Sequence, residues 1–96
     1  MSYYLMLGNY TDKGINNIKD SPDRINKFKE LCSAHGAKLV SYYLLMGPYD
    51  VASVIEAPTP EAIAQIALIV GQRGNVRTQT MCAFSETDQN KMVQKV

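Results

Sequence analysis

The chain has no tryptophan, a single histidine, and two widely separated cysteines, Cys32 and Cys82. One histidine leaves any Ser-His-Asp or Cys-His arrangement resting on His35, which has no serine or cysteine elbow near it in sequence, so triad hydrolysis is not expected. Cys32 and His35 share a helix face at i, i+3 but have no further ligand nearby, and no metal site is expected. Runs of Lys or Arg are also missing. With a formal net charge of +1, the chain offers no electrostatic footprint for nucleic acid or an anionic membrane. No apolar stretch approaches the ~20 residues of a membrane span, and the first ten residues carry neither a basic n-region nor a small-residue cleavage site. These absences place the chain in the cytoplasm. There the Asn9-Tyr10-Thr11 sequon has no consequence, and both cysteines stay reduced as small buried hydrophobes.

What is present suits one folded domain over residues 1–96, with 46% hydrophobic and 20% charged residues. A chain of this length buries only about 60 to 65% of its unfolded surface, so added stability from assembly is expected. Tyr3 to Tyr10 is aromatic and aliphatic without helical spacing and reads as a first strand. Gly14 to Asp20 has room for a helical turn. Ser21-Pro22-Asp23 supplies an N-cap, a first-position proline and a first-turn acid, and Ile25, Phe28, Leu31 and Cys32 form the apolar stripe of a helix. His35-Gly36 ends it with a last-turn cation and a left-handed stop, which makes His35 a surface residue. Lys38 to Met46 and Val51 to Ala57 are two strands joined through the turn formers Gly47-Pro48-Tyr49-Asp50. Thr59-Pro60-Glu61 repeats the cap, proline and acid signature, with Ile63, Ile66, Ala67 and Val70 as the stripe of a second helix closed by Gly71 and Gly74. Asn75 to Phe84 is a fourth strand, and Ser85-Glu86-Thr87-Asp88 is a capping box ahead of a terminal helix.

The order is β-α-β-β-α-β with a C-terminal helix: an α+β, ferredoxin-like fold whose four-stranded antiparallel sheet carries both main helices on one face. The other face has no cover. A sheet with one wet side alternates apolar and polar residues, yet Tyr3-Tyr4-Leu5-Met6-Leu7, Tyr42-Tyr43-Leu44-Leu45-Met46 and Val51-Ala52-Ser53-Val54-Ile55 are apolar at both parities. Soluble monomers rarely expose so large a patch, and a second copy of the same sheet is the simplest cover. The expected partner is therefore the chain itself, as a homodimer or larger homo-oligomer. Within each strand, Tyr42 and Tyr43 must point to opposite faces, as must Arg77 with Gln79 against Thr78 with Thr80.

The chain resembles the GYD family, whose Gly-x-Tyr-Asp signature reads here as Gly47-Pro48-Tyr49-Asp50. The likeness continues through Gly14-Ile15 with Ile18-Lys19-Asp20-Ser21-Pro22, then Glu56-Ala57-Pro58, Gly74-Asn75-Val76-Arg77-Thr78 and Ala83-Phe84, covering nearly the whole chain. That family is similar to the wider dimeric α/β barrels, in which two ferredoxin-like sheets pack face to face, so the resemblance implies the same fold and assembly. It implies no single activity, because relatives in the superfamily range from cofactor-free monooxygenases to haem binders and isomerases.

Tyr49 and Asp50 are the candidate catalytic pair, placing a phenol and a carboxylate where they can orient a ligand hydroxyl or move a proton. Glycine, proline and aspartate also serve a turn by themselves, whereas a turn needs no tyrosine. Asn75, Arg77 and Thr78 open the last strand and join them as candidate ligand-binding residues, with Arg77 able to pair with Asp50 or an anion. Gly71-Gln72-Arg73-Gly74-Asn75 follows a helix, so it offers no helix N-terminus to a phosphate. The third strand lacks the stacking aromatics of RNA-recognition modules, and nucleic acid is not expected as a partner. Three functions follow: a homo-oligomeric small-molecule binder without a cofactor, a cofactor-free enzyme of the monooxygenase or isomerase kind, or a structural assembly module.

Overall fold

The apolar run after Ser2 is hydrogen-bonded along both of its edges. In the computed structural model, which describes residues 1–96, β1 (Ser2–Tyr10) lies between β3 (Val51–Ala57) and β4 (Val76–Ala83). β2 (Lys38–Leu44) flanks β3, completing an antiparallel sheet of order β2-β3-β1-β4. α2 (Ser21–Ala34) and α3 (Pro60–Arg73) form the two crossovers, and α4 (Glu86–Val93) follows β4. The link from β1 to α2 holds a short helix, α1 (Asp12–Asn16), and a 3-10 turn, Ile18–Asp20. The fold is the expected α+β, ferredoxin-like one.

The helix starts follow from side-chain chemistry. The Thr59 hydroxyl accepts the Ala62 N–H at 3.1 Å and the Ser85 hydroxyl accepts that of Asp88 at 3.1 Å, caps that contribute about 1 kcal/mol each. Thr11 has two roles: its hydroxyl accepts the Gly14 N–H at 3.1 Å and donates to the Gly74 carbonyl at 2.6 Å. Ser21 departs from expectation. It is the first helical residue rather than the cap, because the 3-10 turn runs straight into α2 and leaves Asp20 in helical backbone. At the other end, His35 caps α2 and Gly36 takes φ +72°.

Register assigns every strand residue to a face. Tyr4, Met6 and Gly8 stand opposite Ile55, Ser53 and Val51 and look toward α2 and α3. There Tyr4, Met6, Ile55 and Ala57 pack with Phe28, Leu31, Cys32, Ile63 and Ile66 into the core. Tyr3, Leu5 and Leu7, opposite Glu56, Val54 and Ala52, look the other way. No helix lies there: Tyr43 is 59% exposed on that face, and Leu5, Leu7 and Val54 are only half-buried. Tyr42 and Tyr43 do take opposite faces, as do Thr78 and Arg77.

Two further differences have local causes. β2 ends at Leu44, before Leu45 and Met46, because the hairpin closes as a wider loop in which the Leu45 N–H donates to the Asp50 carbonyl at 2.7 Å. Cys82 is exposed, whereas Cys32 is fully buried and its thiol is pushed up to about 11 by desolvation. Cys82 has the same helix-side parity as Tyr4, but it sits on an edge strand where Thr80 is exposed as well, so the helical cover fades along β4. α4 buries no residue, and Phe84, Val93 and Val96 around it are exposed. No helix is long and apolar enough to cross a membrane.

Gly14 is where α1 meets the start of β4. A Cβ at this position would collide with the Asn75 backbone carbonyl, and the Thr11 N–H reaches that same carbonyl at 3.1 Å. Gly14→Ala is expected to destabilise the protein by about 1 to 3 kcal/mol, the usual range for overpacking against fixed backbone. A lowered urea midpoint is the readout. An unchanged midpoint would mean that α1 moves aside without cost.

Candidate functional site

The five residues singled out from sequence do not converge on one place. Asp50 is drawn into the backbone: its Oδ2 accepts the Tyr10 N–H at 2.8 Å and its own N–H donates to the Gly8 carbonyl at 2.9 Å. These bonds lash the hairpin to the end of β1. Tyr49 lies on the open sheet face, where its hydroxyl donates to Gln79 Oε1 at 3.0 Å. Because Gln79 pairs with Leu7 in the register, that bond carries Tyr49 across β1. Arg77 is exposed on the same face as Gln79, with β1 lying between it and β3, the strand that follows Asp50. Asn75 and Thr78 are on the opposite side of the sheet, in the wall of a cleft.

The cleft opens between α2, α3 and the helix side of the sheet, with a volume of about 440 Å³. Its floor is β1 and β3, where Met6, Gly8, Val51 and Ser53 face upward. Ile25 and Phe28 of α2 form one wall, and Val70 of α3 with Val76 of β4 the other. Ile25 and Val70 are thus members of the two helical stripes that remain half-buried, because they face the cleft rather than the closed core. Gly8 keeps the floor low. A Cβ there would stand 2.5 Å from Val76 Cγ1 and 2.9 Å from Val51 Cγ2, inside the contact distance of any real side chain.

The polar groups of the cleft come from all four strands, from α2, which also brings Lys27, and from Arg73 at the end of α3. Tyr10 of β1 and Tyr42 of β2 bring two phenols together, Ser21 and Arg24 come from α2, and Asn75 and Thr78 flank the opening of β4. Tyr42 is half-buried, and desolvation pushes its phenol up to about 12; contact with the Tyr10 phenol adds to the rise and the Arg24 guanidinium opposes it. Arg24 is held in place by carbonyls, donating to Gly14 and Asn17 at 3.2 Å each. Ser53 is buried on the floor, its hydroxyl tied only by a long 3.5 Å bond to the Met6 carbonyl. An apolar cavity with a few convergent hydroxyls and cationic side chains has the make-up of a small-molecule site.

Sequence reasoning placed Asn75 and Thr78 correctly at the head of β4, and it did not single out Tyr10, Arg24 or Ser53. The available signal was Gly8: a glycine inside an apolar strand marks a close approach or an opening above the sheet. His35 contributes nothing here, since its Nδ1 is engaged with the Leu31 carbonyl at 3.1 Å at the far end of α2.

The GYD domain model matches residues 4–93, nearly the full length of the chain. This protein belongs to the GYD domain family. A relative from Thermus thermophilus, described as a glutamine synthetase and cystathionine beta-lyase binding protein, is 33% identical over 89 residues, which is 92% of this GYD chain and 94% of the relative. Among solved structures, the leucine response regulatory protein LrpA of Mycobacterium tuberculosis superposes with a TM-score of 0.65 at 15% identity. The match covers 88% of the GYD chain, which spans only about half (51%) of that regulator. A hypothetical protein from Pyrococcus horikoshii superposes with a TM-score of 0.62 at 17% identity, covering 90% of this chain and 93% of its own. These structural likenesses establish the shared fold.

The late-titrating phenol is a spectroscopic handle on the cleft. One of the six tyrosines is expected to ionise well after free tyrosine in an ultraviolet absorbance titration, and Tyr42→Phe removes that last step. The folded pKa lies above the unfolded one, so the folded protein holds a proton that the unfolded chain releases. Stability therefore falls as pH rises from about 10 through about 12. A Tyr42→Phe variant with the same titration curve as the parent would assign the late phenol elsewhere.

Proposed function

We propose that this GYD protein is a homo-oligomeric small-molecule-binding protein, with one ligand per chain in the cleft between α2, α3 and the sheet, and with the open sheet face joining copies. The observation that carries the reading is the cleft itself. A module that served assembly alone has no need of an unfilled 440 Å³ space at the position where its two main helices cross the sheet. Binding is supported over proton transfer by the groups that line it. Burial pushes the Tyr42 phenol up to about 12, which disfavours it as a base, and the Asp50 carboxylate is committed to the Tyr10 backbone N–H outside the cleft.

Assembly is supported by surface area. A compact monomer of 10.7 kDa exposes about 5,500 Å², whereas this chain exposes 6526 Å². The excess, about 1,000 Å², is close to the ~800 Å² that each partner buries in a standard interface. Its radius of gyration, 14.3 Å, likewise exceeds the ~12.5 Å of a compact chain this long. The flat, elongated shape, 49 × 30 × 18 Å, and an α4 that buries no residue are in line with both. Tyr49, lying on that face with Gln79, then borders the contact between copies.

A second reading has its own support. The Thermus relative is named for binding two enzymes, and the same open face and α4 would serve a foreign protein. Size-exclusion chromatography with purified glutamine synthetase and cystathionine beta-lyase from the same source tests it. Co-elution with either enzyme supports an adaptor, and separate elution from both removes that reading.

Native mass spectrometry tests the main proposal in one experiment. A dimer or larger assembly with extra mass on each chain is expected. Leu5→Lys combined with Tyr43→Lys, which sets charges at the middle and margin of the open face, should give monomers that keep the cleft. A bare monomer from the unaltered protein would sink the proposal.

A further inference from the structure

The cleft carries one sign of charge. Among the residues that line it are three cations, Arg24, Lys27 and Arg73, and none is acidic, although the whole chain is balanced at +1. The cations are grouped at one end. Arg24 and Lys27 lie one turn apart on α2, on the same helix face, and Arg73 is the last residue of α3. Lys13 adds a fourth positive group at that end, its Nζ donating to the Arg73 carbonyl at 3.0 Å. Asp20 and Asp23 line an adjoining polar notch that shares Arg24, Lys27 and Asn75 with the cleft and also takes in Lys13, and neither acid lines the cleft itself. The hydrogen bonds of the Arg24 guanidinium go to the carbonyls of Gly14 and Asn17 rather than to either carboxylate. Behind this cationic mouth the space is apolar, floored by Met6 and Val51 and walled by Phe28 and Val76.

We infer that the ligand is an organic anion, a carboxylate or a phosphate monoester, whose charged head meets Arg24, Lys27 and Arg73 while its apolar or aromatic body lies over Met6, Val51 and Phe28. The inference rests on the binding reading above and specifies its ligand. The logic is desolvation: a carboxylate or phosphate keeps its head at the half-open mouth among charged and hydroxyl donors, and only its body leaves water. A cationic ligand would meet like charge at this end of the cleft. A neutral one would leave the cation cluster unused.

The test uses three probes with one body: 2-naphthylacetate, 2-naphthyl phosphate and the neutral 2-naphthylacetamide. Binding is followed by calorimetry and by the shift of the Tyr42 and Val76 resonances in NMR spectra. The expected result is that at least one anion binds about tenfold more tightly than the amide, with the preference weakened by salt. The stronger of the two anions identifies the head group. Lys27→Gln with Arg73→Gln, both exposed and so expected to leave the fold intact, should reduce the advantage to about threefold or less. Equal binding of amide and anions would overturn the charge assignment while leaving the cleft as a binding site. Failure of all three probes to shift the cleft resonances would overturn the cleft reading and this inference together.

Discussion

Both crossovers of this chain start and end in the same antiparallel sheet, and that constraint puts α2 and α3 on one face of it. One face is then a closed core, built from Tyr4, Met6, Ile55 and Ala57 against Phe28, Leu31, Cys32, Ile63 and Ile66. The other face keeps Tyr3, Leu5, Leu7 and Val54 with no helix above them. Every functional feature descends from this asymmetry. The bare face supplies the apolar surface on which the proposed assembly rests, and the covered face supplies a space where its two covering helices do not meet.

The space exists because the helices converge over one end of the sheet and not the other. Leu31, Cys32, Ile63 and Ile66 close the core, while Ile25 at the start of α2 and Val70 near the end of α3 stay half-buried over Gly8. A larger residue at position 8 would fill the gap from below, since even a Cβ meets Val76 and Val51. The charged mouth then follows from connectivity. The start of α2, the end of α3 and the start of β4 all come to this end of the sheet, so Arg24, Arg73 and Asn75 reach one opening from distant parts of the chain. The Thr11 hydroxyl, joined to both Gly14 and Gly74, binds the segment after β1 to the turn before β4 and keeps that opening in shape.

The signature motif takes on a different meaning in three dimensions. Read along the chain, Gly47-Pro48-Tyr49-Asp50 places a phenol next to a carboxylate. In the fold the two separate: Asp50 turns inward to the Tyr10 and Gly8 backbone, and Tyr49 crosses the open face to Gln79. The motif stitches three strands at one end of the sheet, β3 through Asp50, β1 through its backbone and β4 through Gln79. It lies at the margin of the bare face, whereas Asn75 and Thr78 line the cleft.

The sequence by itself determined the elements, their order and the two-sided apolar character of the strands. Those features depend on local chemistry: Thr59 and Ser85 accept N–H groups three residues on, Gly36 adopts a left-handed backbone, and strand residues alternate faces whatever surrounds them. It also made the expectation of a partner legible, since an apolar residue at both parities is a local fact. Tertiary structure alone decided which candidate residues meet. Asn75 and Thr78 join Tyr10, Tyr42 and Arg24 across as many as 68 positions of sequence, while the adjacent Tyr49 and Asp50 part company. Cys82 differs from Cys32 for the same reason, because burial on an edge strand depends on how far a helix reaches over it and not on the residue's own parity. Proximity between distant side chains is set by register and helix placement, which no local pattern encodes.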